Sequence, residues 1–334
     1  MTVVAVVGGS GFVGSAVVAA LREEGREPVV VRAPRLRTSA RDADALVAEA
    51  VGQDGRHDEL TALDGADVVV IAAGVPAPAG TDSDELHGAN ALLPAVVLRA
   101  ARRAGVRRVV HVSSVVVQGD DDVLDESSRR TPLSPYAESK ARGEEALVRL
   151  CDEPGGPGVE LVIYRPPSVQ APGRRVTRQV SRLARSPLRS VAGDGGAPTP
   201  LALIQNVGSA IAALCHLPDV PRYVLHPWEG LTAASVLELM GDGRRPRRIP
   251  LPVAHLVLRV ARSTLGRTPG RVGLVRRLQV LWFGQQQAPS WLTTQGWAPP
   301  AGREGWAELA ERVAVDPGGA DVRPAGALRR GVES

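Results

Sequence analysis

Lysine is all but missing from this chain: of 40 basic residues, a single one, Lys140, is not arginine. Cysteine is almost as scarce. Cys151 and Cys215 are too few for a disulfide framework or a cysteine-rich zinc site, which suits a reducing compartment. No apolar run approaches the ~20 residues of a membrane span, so no membrane partner is expected. The excess of 40 basic over 36 acidic residues leaves a formal charge of +4, too mild and too dispersed for a nucleic-acid partner. The first residues enter a strand pattern at once, without the basic segment and cleavage site of a signal peptide, and the expected location is the cytoplasm. His111 and the other histidines lack metal-ligand spacing, so they are expected to be ordinary, hydrogen-bonded strand or loop residues and no metal is expected.

The 334 residues, 44% of them hydrophobic, suffice for one large domain or two of medium size. Residues 2–7 form a β-branched run, followed by Gly8-Gly9-Ser10-Gly11-Phe12-Val13-Gly14 and a helical pattern over 15–24. Further strands are expected over 28–32, 67–74, 108–112 and 159–164, with helices over 41–51, 91–104 and 136–150. Strands alternating with helices imply right-handed parallel crossovers. The expected fold is α/β, a doubly wound Rossmann-type parallel sheet. From 171 to 277 the composition shifts to 17 arginines against 5 acidic residues. Residues 1–170 therefore read as a dinucleotide-binding domain to which 201–217 returns. Residues 171–200 and 218–316 read as a smaller substrate-binding region, and 317–334 as a flexible tail.

Gly8, Gly11 and Gly14 stand between the first strand and the first helix, where a dinucleotide site needs them. The first glycine permits the tight turn, the second admits the pyrophosphate to the backbone, and the third lets helix and strand pack closely. An acidic residue ending the second strand would bind an adenosine ribose, whereas arginine pairs with a 2′-phosphate. Arg32 stands there, with Arg35 close behind, so NADP(H) is the expected cofactor. An arginine-rich chain also places arginine in loops for no ligand's sake.

Tyr136 and Lys140, four residues apart, share one face of a helix. The ammonium beside the phenol is expected to lower its pKa, leaving a group able to pass a proton to or from a carbonyl oxygen. That the chain's one compact ammonium falls here sharpens the reading, because guanidinium does not replace it. Ser114, 22 residues before Tyr136, ends the fourth strand, where ligands of open α/β sheets bind. Its hydroxyl completes a candidate triad.

Taken in order, Gly8-x-x-Gly11-x-x-Gly14, Ala72-Ala73-Gly74, Asn90, Ser113-Ser114, Tyr136-x-x-x-Lys140 and Arg165-Pro166 make the chain similar to the extended short-chain dehydrogenase/reductases, in their NAD-dependent epimerase/dehydratase group. The resemblance covers residues 1 to about 215. It implies hydride transfer at nicotinamide C4, with Ser114 and Tyr136 polarising the carbonyl and Lys140 also binding the nicotinamide ribose. Ser10, Phe12 and Val13 would line the pyrophosphate turn. Ala72, Ala73, Gly74, Asn90, Arg165 and Pro166 would complete the cofactor site, and helices 91–104 and 137–150 would supply a homodimer face.

Members that act on nucleotide sugars often carry Val-Tyr-Gly where this chain has Val117-Gln118-Gly119. The motif over 169–173 also departs, with Gln170, as does that over 203–207, with Gln205-Asn206. The expected activity is reduction of a ketone by NADPH, with a 4-keto-6-deoxy nucleotide sugar as the substrate class. Arginines 174, 175, 178, 182, 185 and 189, and the run Arg244-Arg245-Pro246-Arg247-Arg248, are candidates for its diphosphate or, equally, arginine-rich surface. The alternatives are an NAD-dependent nucleotide-sugar epimerase or dehydratase and a non-enzymatic NADP-binding sensor.

Overall fold

The computed structural model describes residues 2–76, 81–153, 158–265 and 269–315, so the expected tail at 317–334 lies outside the described residues. The elements run β1 (Val4–Val7), α1 (Phe12–Glu23), β2 (Val29–Val31), α2 (Ala43–Gly52), a 3₁₀ segment (Asp58–Leu63), β3 (Val68–Ile71), α3 (Asp84–His87), a π turn (Gly88–Leu92), α4 (Leu93–Arg103) and β4 (Arg108–Val112). There follow a 3₁₀ turn (Val115–Gln118), β5 (Val123–Leu124), α5 (Pro135–Asp152), β6 (Glu160–Arg165), β7 (Ser168–Gln170), α6 (Arg175–Arg185), β8 (Ser190–Ala192), β9 (Leu201–Leu203) and α7 (Ile204–Leu214). The remainder is β10 (Tyr223–Leu225), α8 (Ala233–Met240), β11 (Arg247–Ile249), α9 (Leu251–Leu265), α10 (Pro269–Phe283), β12 (Gln286–Gln287), α11 (Trp291–Thr294) and α12 (Arg303–Val315).

Six strands form one parallel sheet in the order β10-β6-β4-β3-β1-β2. Helices cover both faces, as expected of a doubly wound fold. The period of two sorts side chains cleanly. Ala5, Val7, Val69, Ile71, Val109 and Ile163 face the core shared with α2, α4 and α5. Val4, Val6, Val68, Val70, Val110 and Val162 face the core shared with α1 and α7. The order of strands reverses between β1 and β3, and the loops leaving their carboxyl ends flank the crevice where such sheets bind ligands.

Two stretches behave unlike a simple division of the chain. Residues 223–225, within the span assigned to the substrate region, form the outer strand β10 of the main sheet, paired with β6 from Tyr223 opposite Ile163 to Leu225 opposite Arg165. Helix α7 lies so close to α1 that a Cβ at Gly208 would stand 2.5 Å from the carbonyl oxygen of Ala16. Arg108, 2% exposed, fixes the end of α7 by donating from Nη1 to the carbonyls of Leu214 (2.8 Å) and Leu217 (2.7 Å).

The arginine-rich part has its own core, built from Val191, Leu203, Val236, Leu237, Trp306 and Leu309 among others. A buried chain of side chains joins it to the sheet. The Tyr164 hydroxyl meets His226 Nδ1 at 2.6 Å, His226 Nε2 meets Glu229 at 2.9 Å, and Trp306 Nε1 donates to Glu229 at 2.7 Å.

Candidate active site

The turn after β1 is closed to any side chain. Gly8 has φ +82°, a conformation that favours glycine, and a Cβ there would lie 2.8 Å from Ala73. A Cβ at Gly14 would stand 2.1 Å from the Gly8 carbonyl oxygen. Gly11 begins α1 with no side chain capping the first N–H groups, and the positive end of the helix opens on the turn. A dinucleotide pyrophosphate fits this cradle. The Gly8 N–H donates to the carbonyl of Val31 at 2.9 Å, which sets the following residue, Arg32, beside the turn. Arg32 and Arg35 are both exposed.

On the other side of Gly8, the chain leaving β3 leads to the only lysine. A Cβ at Gly74 would lie 2.8 Å from Asn90 Oδ1 and 3.2 Å from Lys140 Nζ. Asn90, wholly buried on the π turn, accepts from the Val75 N–H (3.0 Å) and donates to the Val75 carbonyl (2.9 Å) and to Ser139 Oγ (3.0 Å). It thus ties the strand end to α5 one residue before Lys140. Lys140 Nζ donates to the Val112 carbonyl at 3.0 Å, at the end of β4. Burial brings its ammonium down to about 8, with the Glu144 carboxylate opposing.

Ser114 follows two residues beyond Val112. Its hydroxyl is held only by long contacts, accepting from Val116 N–H at 3.4 Å and donating to the Pro166 carbonyl at 3.5 Å, so it keeps bonding capacity. Tyr136 sits one helical turn before Lys140, at the start of α5, which Ser134 caps by accepting from Ala137 N–H at 3.2 Å. The expected lowering of its pKa by Lys140 is not what the structure shows. Burial pushes the phenol up, and the cation that opposes this is Arg174. The Arg174 guanidinium also lies 4.1 Å from the centre of the Phe12 ring, on the glycine turn. Phe12, Arg174 and Tyr136 therefore link the dinucleotide cradle to the phenol, while Gly74, Asn90 and Lys140 link it to the end of β4.

The Arg165 guanidinium, expected at the cofactor site, is taken up by internal partners. Its side chain is fully buried and bonded to Glu144 through Nε (3.0 Å) and Nη2 (2.7 Å) and to the Ser127 carbonyl through Nη1 (2.7 Å). Arg130 Nε adds 2.8 Å to the same carboxylate, and Ser113 Oγ donates to it at 2.6 Å. Glu144, four residues after Lys140 on the same helix face, escaped the sequence reading although the spacing that marks Tyr136 and Lys140 extends to it. His111 also differs from expectation: it is completely buried beside Lys140, and neither ring nitrogen has a partner among the described residues. The three motif departures are internal ties. Gln118 Nε2 donates to Asp125 at 2.8 Å, Gln170 accepts from Thr177 at 2.9 Å, and Asn206 exchanges two bonds with Ala301.

Comparison with known proteins shows the family and the fold. A model of the NAD dependent epimerase/dehydratase family matches residues 4–226. The 4-hydroxy-2-methyl-3-oxo-4-farnesyl-3,4-dihydroquinoline-1-oxide ketoreductase of Stigmatella aurantiaca is 35% identical over 169 residues, 48% of this chain and 48% of its own, so the match spans about half of that relative. A ceramide reductase of Caulobacter vibrioides is 29% identical over 84% of both chains. A dTDP-6-deoxy-L-talose 4-dehydrogenase (NAD(P)(+)) of Kitasatospora kifunensis is 27% identical over 86% of this chain and 96% of its own. Among solved structures, MoeE5 in complex with UDP-glucuronic acid and NAD superposes with a TM-score of 0.62 at 23% identity, covering 94% of this chain and 99% of that one, a likeness of fold.

Proposed function

Because the chain belongs to the NAD dependent epimerase/dehydratase family of NAD(P)-dependent enzymes, we propose that it is an NADPH-dependent ketoreductase in which Tyr136 gives its proton to the substrate carbonyl oxygen. The observation that carries this reading is the placement of that phenol: Tyr136 stands one helical turn before Lys140 on α5, and the Lys140 ammonium donates to the Val112 carbonyl two residues before Ser114, so all three side chains converge at the end of β4. Burial favours the protonated phenol, the form that donates to a carbonyl oxygen. A nicotinamide dinucleotide bound at the glycine turn supplies the hydride. Ser114 holds the same carbonyl oxygen by a hydrogen bond, the Lys140 ammonium orients the ribose hydroxyls, and the Arg174 guanidinium is the cation that steadies the charge left on Tyr136. Asn90 keeps the wall of the site in place through Val75 and Ser139.

Arg32 and Arg35 are assigned to the 2′-phosphate. Arg32→Asp is expected to lower the preference for NADPH over NADH by roughly 10–100-fold, the worth of one charge-assisted bond. An unchanged ratio of kcat/KM for the two cofactors would remove Arg32 from that role. A second expectation concerns pH. The Lys140 ammonium is charged below about 8 and lost above it, so kcat/KM for reduction falls as pH rises through that value. A profile flat to the titration of the phenol would mean that the charge on Lys140 is not needed.

The substrate is a ketone. One relative acts on a dTDP-linked deoxy sugar, which supports a 4-keto-6-deoxy nucleotide sugar; two others are reductases of a farnesyl-bearing quinoline oxide and of ceramide, which supports an apolar ketone. The competing reading, an epimerase that retains and regenerates its NAD, draws on the fold neighbours solved with NAD. Denaturing the purified protein and identifying any released dinucleotide separates the two. A site that is purified empty and takes NADPH more tightly than NADH supports the reductase, and tightly retained NAD supports the epimerase.

A further inference from the structure

Helix α9 carries two apolar stripes, and the protein covers one of them. Ala254 is fully buried against Ala192 and Trp282, and Leu258 is buried beside it on the same stripe. On the far side, Val253, Leu256, Val257 and Val260 are 49, 58, 41 and 52% exposed. Their spacing of i, i+3, i+4 and i+7 gathers them into an arc of about 100°. This is the side of a surface helix where charged residues normally stand. Leu188, 78% exposed, precedes β8, whose partner β11 leads directly into α9.

Basic groups surround the stripe. Arg244, Arg245, Arg247 and Arg248 lie just before α9 and Arg259 lies on it, all five exposed, whereas Arg262 points to the opposite side of the helix and donates to Gln279 of α10 at 2.7 Å. Acidic groups approach two of them loosely, Glu238 at 3.9 Å from Arg245 and Asp120 at 3.8 Å from Arg262. A second copy docked here across a two-fold axis would gather two such sets of arginines into one interface with few carboxylates to offset them. An anionic surface would neutralise them while taking up the apolar arc.

We propose that the outer face of α9 lies on the surface of an anionic lipid bilayer, with Val253, Leu256, Val257 and Val260 at the boundary between headgroups and acyl chains. Arg259 and the four arginines that precede α9 face the lipid phosphates. This reverses the expectation of no membrane contact drawn from the absence of a long apolar run. A helix of 15 residues lies on a membrane rather than across it, and among the described residues no helix is long and apolar enough to cross. The proposal stands apart from the ketoreductase reading, since it involves none of Tyr136, Ser114, Lys140, Asn90, Arg32 and Arg35.

Sedimentation of the full chain with vesicles tests it. The wild type is expected to bind phosphatidylglycerol-containing vesicles at least about tenfold more tightly than pure phosphatidylcholine vesicles, and to release at high salt. The Leu256→Glu/Val260→Glu variant replaces two exposed side chains and is expected to keep its circular dichroism and melting temperature while losing about tenfold in binding. Arg244→Glu/Arg245→Glu is expected to lose the preference for anionic lipid. Equal binding to both vesicle types, or undiminished binding by Leu256→Glu/Val260→Glu, overturns the proposal. So does a wild type that ignores vesicles but falls from dimer to monomer, by light scattering, when Leu256 and Val260 are changed.

Discussion

Tyr136→Phe is expected to lower kcat for ketone reduction by about 10²–10⁴-fold, the usual worth of a positioned general acid, while leaving NADPH affinity within about twofold. The substitution removes one hydroxyl and keeps the ring, its packing and the neighbouring Arg174. The other two tyrosines offer no substitute. The Tyr164 hydroxyl is bonded to His226 at 2.6 Å and that of Tyr223 to Arg130 at 2.8 Å, both as parts of the internal framework. Steady-state rates with the best ketone found, together with a fluorescence titration of NADPH, make the comparison. A variant with full turnover would take the proton transfer away from Tyr136. Equal losses in turnover and NADPH affinity would instead make Tyr136 a cofactor-binding residue.

The second large effect falls on stability. Glu144→Gln is expected to destabilise the protein by about 3–5 kcal/mol, because it leaves Arg165 as a buried cation with no carboxylate. Both side chains of the Arg165–Glu144 pair are fully buried, and Arg130 is mostly so. One of the two oxygens becomes an NH2 group, so Arg130 and Arg165, which share one oxygen, or Ser113 and Arg165, which share the other, would face a donor in place of an acceptor. The three elements involved, β4, α5 and β6, position Ser114, Lys140 and Tyr136, so the loss reaches the site through the scaffold. Urea unfolding followed by circular dichroism measures it. A change below about 1 kcal/mol would place the carboxylate among ordinary surface pairs.

What could be read from the sequence was local. The turn from Gly8 to Gly14 lies between a valine-rich strand and a helix, and its steric logic is contained in seven neighbouring residues. Tyr136 and Lys140 share a helix face by spacing alone. The misreadings all concern partners distant in the chain. Arg165 follows a strand in a motif associated with the cofactor, yet Glu144, 21 residues earlier, claims its guanidinium. The influence of Lys140 on Tyr136 looked assured from their spacing, but Lys140 turns to the Val112 carbonyl and the charge that reaches the phenol comes from Arg174, 38 residues on. Residues 223–225 carry too short a β-branched pattern to announce an edge strand; pairing with β6 decides it. The exposed arc on α9 shows in sequence as amphipathic periodicity, and periodicity cannot say which of two apolar stripes is buried.

The seam between α1 and α7 bears on how this protein can be recombined. Because Gly208 sits 2.5 Å (as a virtual Cβ) from the Ala16 carbonyl and Arg108 clasps the end of α7, a fragment stopping near residue 170 would leave the back of the phosphate-binding helix bare. Exchanging specificity with another member of the family therefore requires transplanting separate inserts around α7 and β10. A single crossover would divide the cradle from its own support.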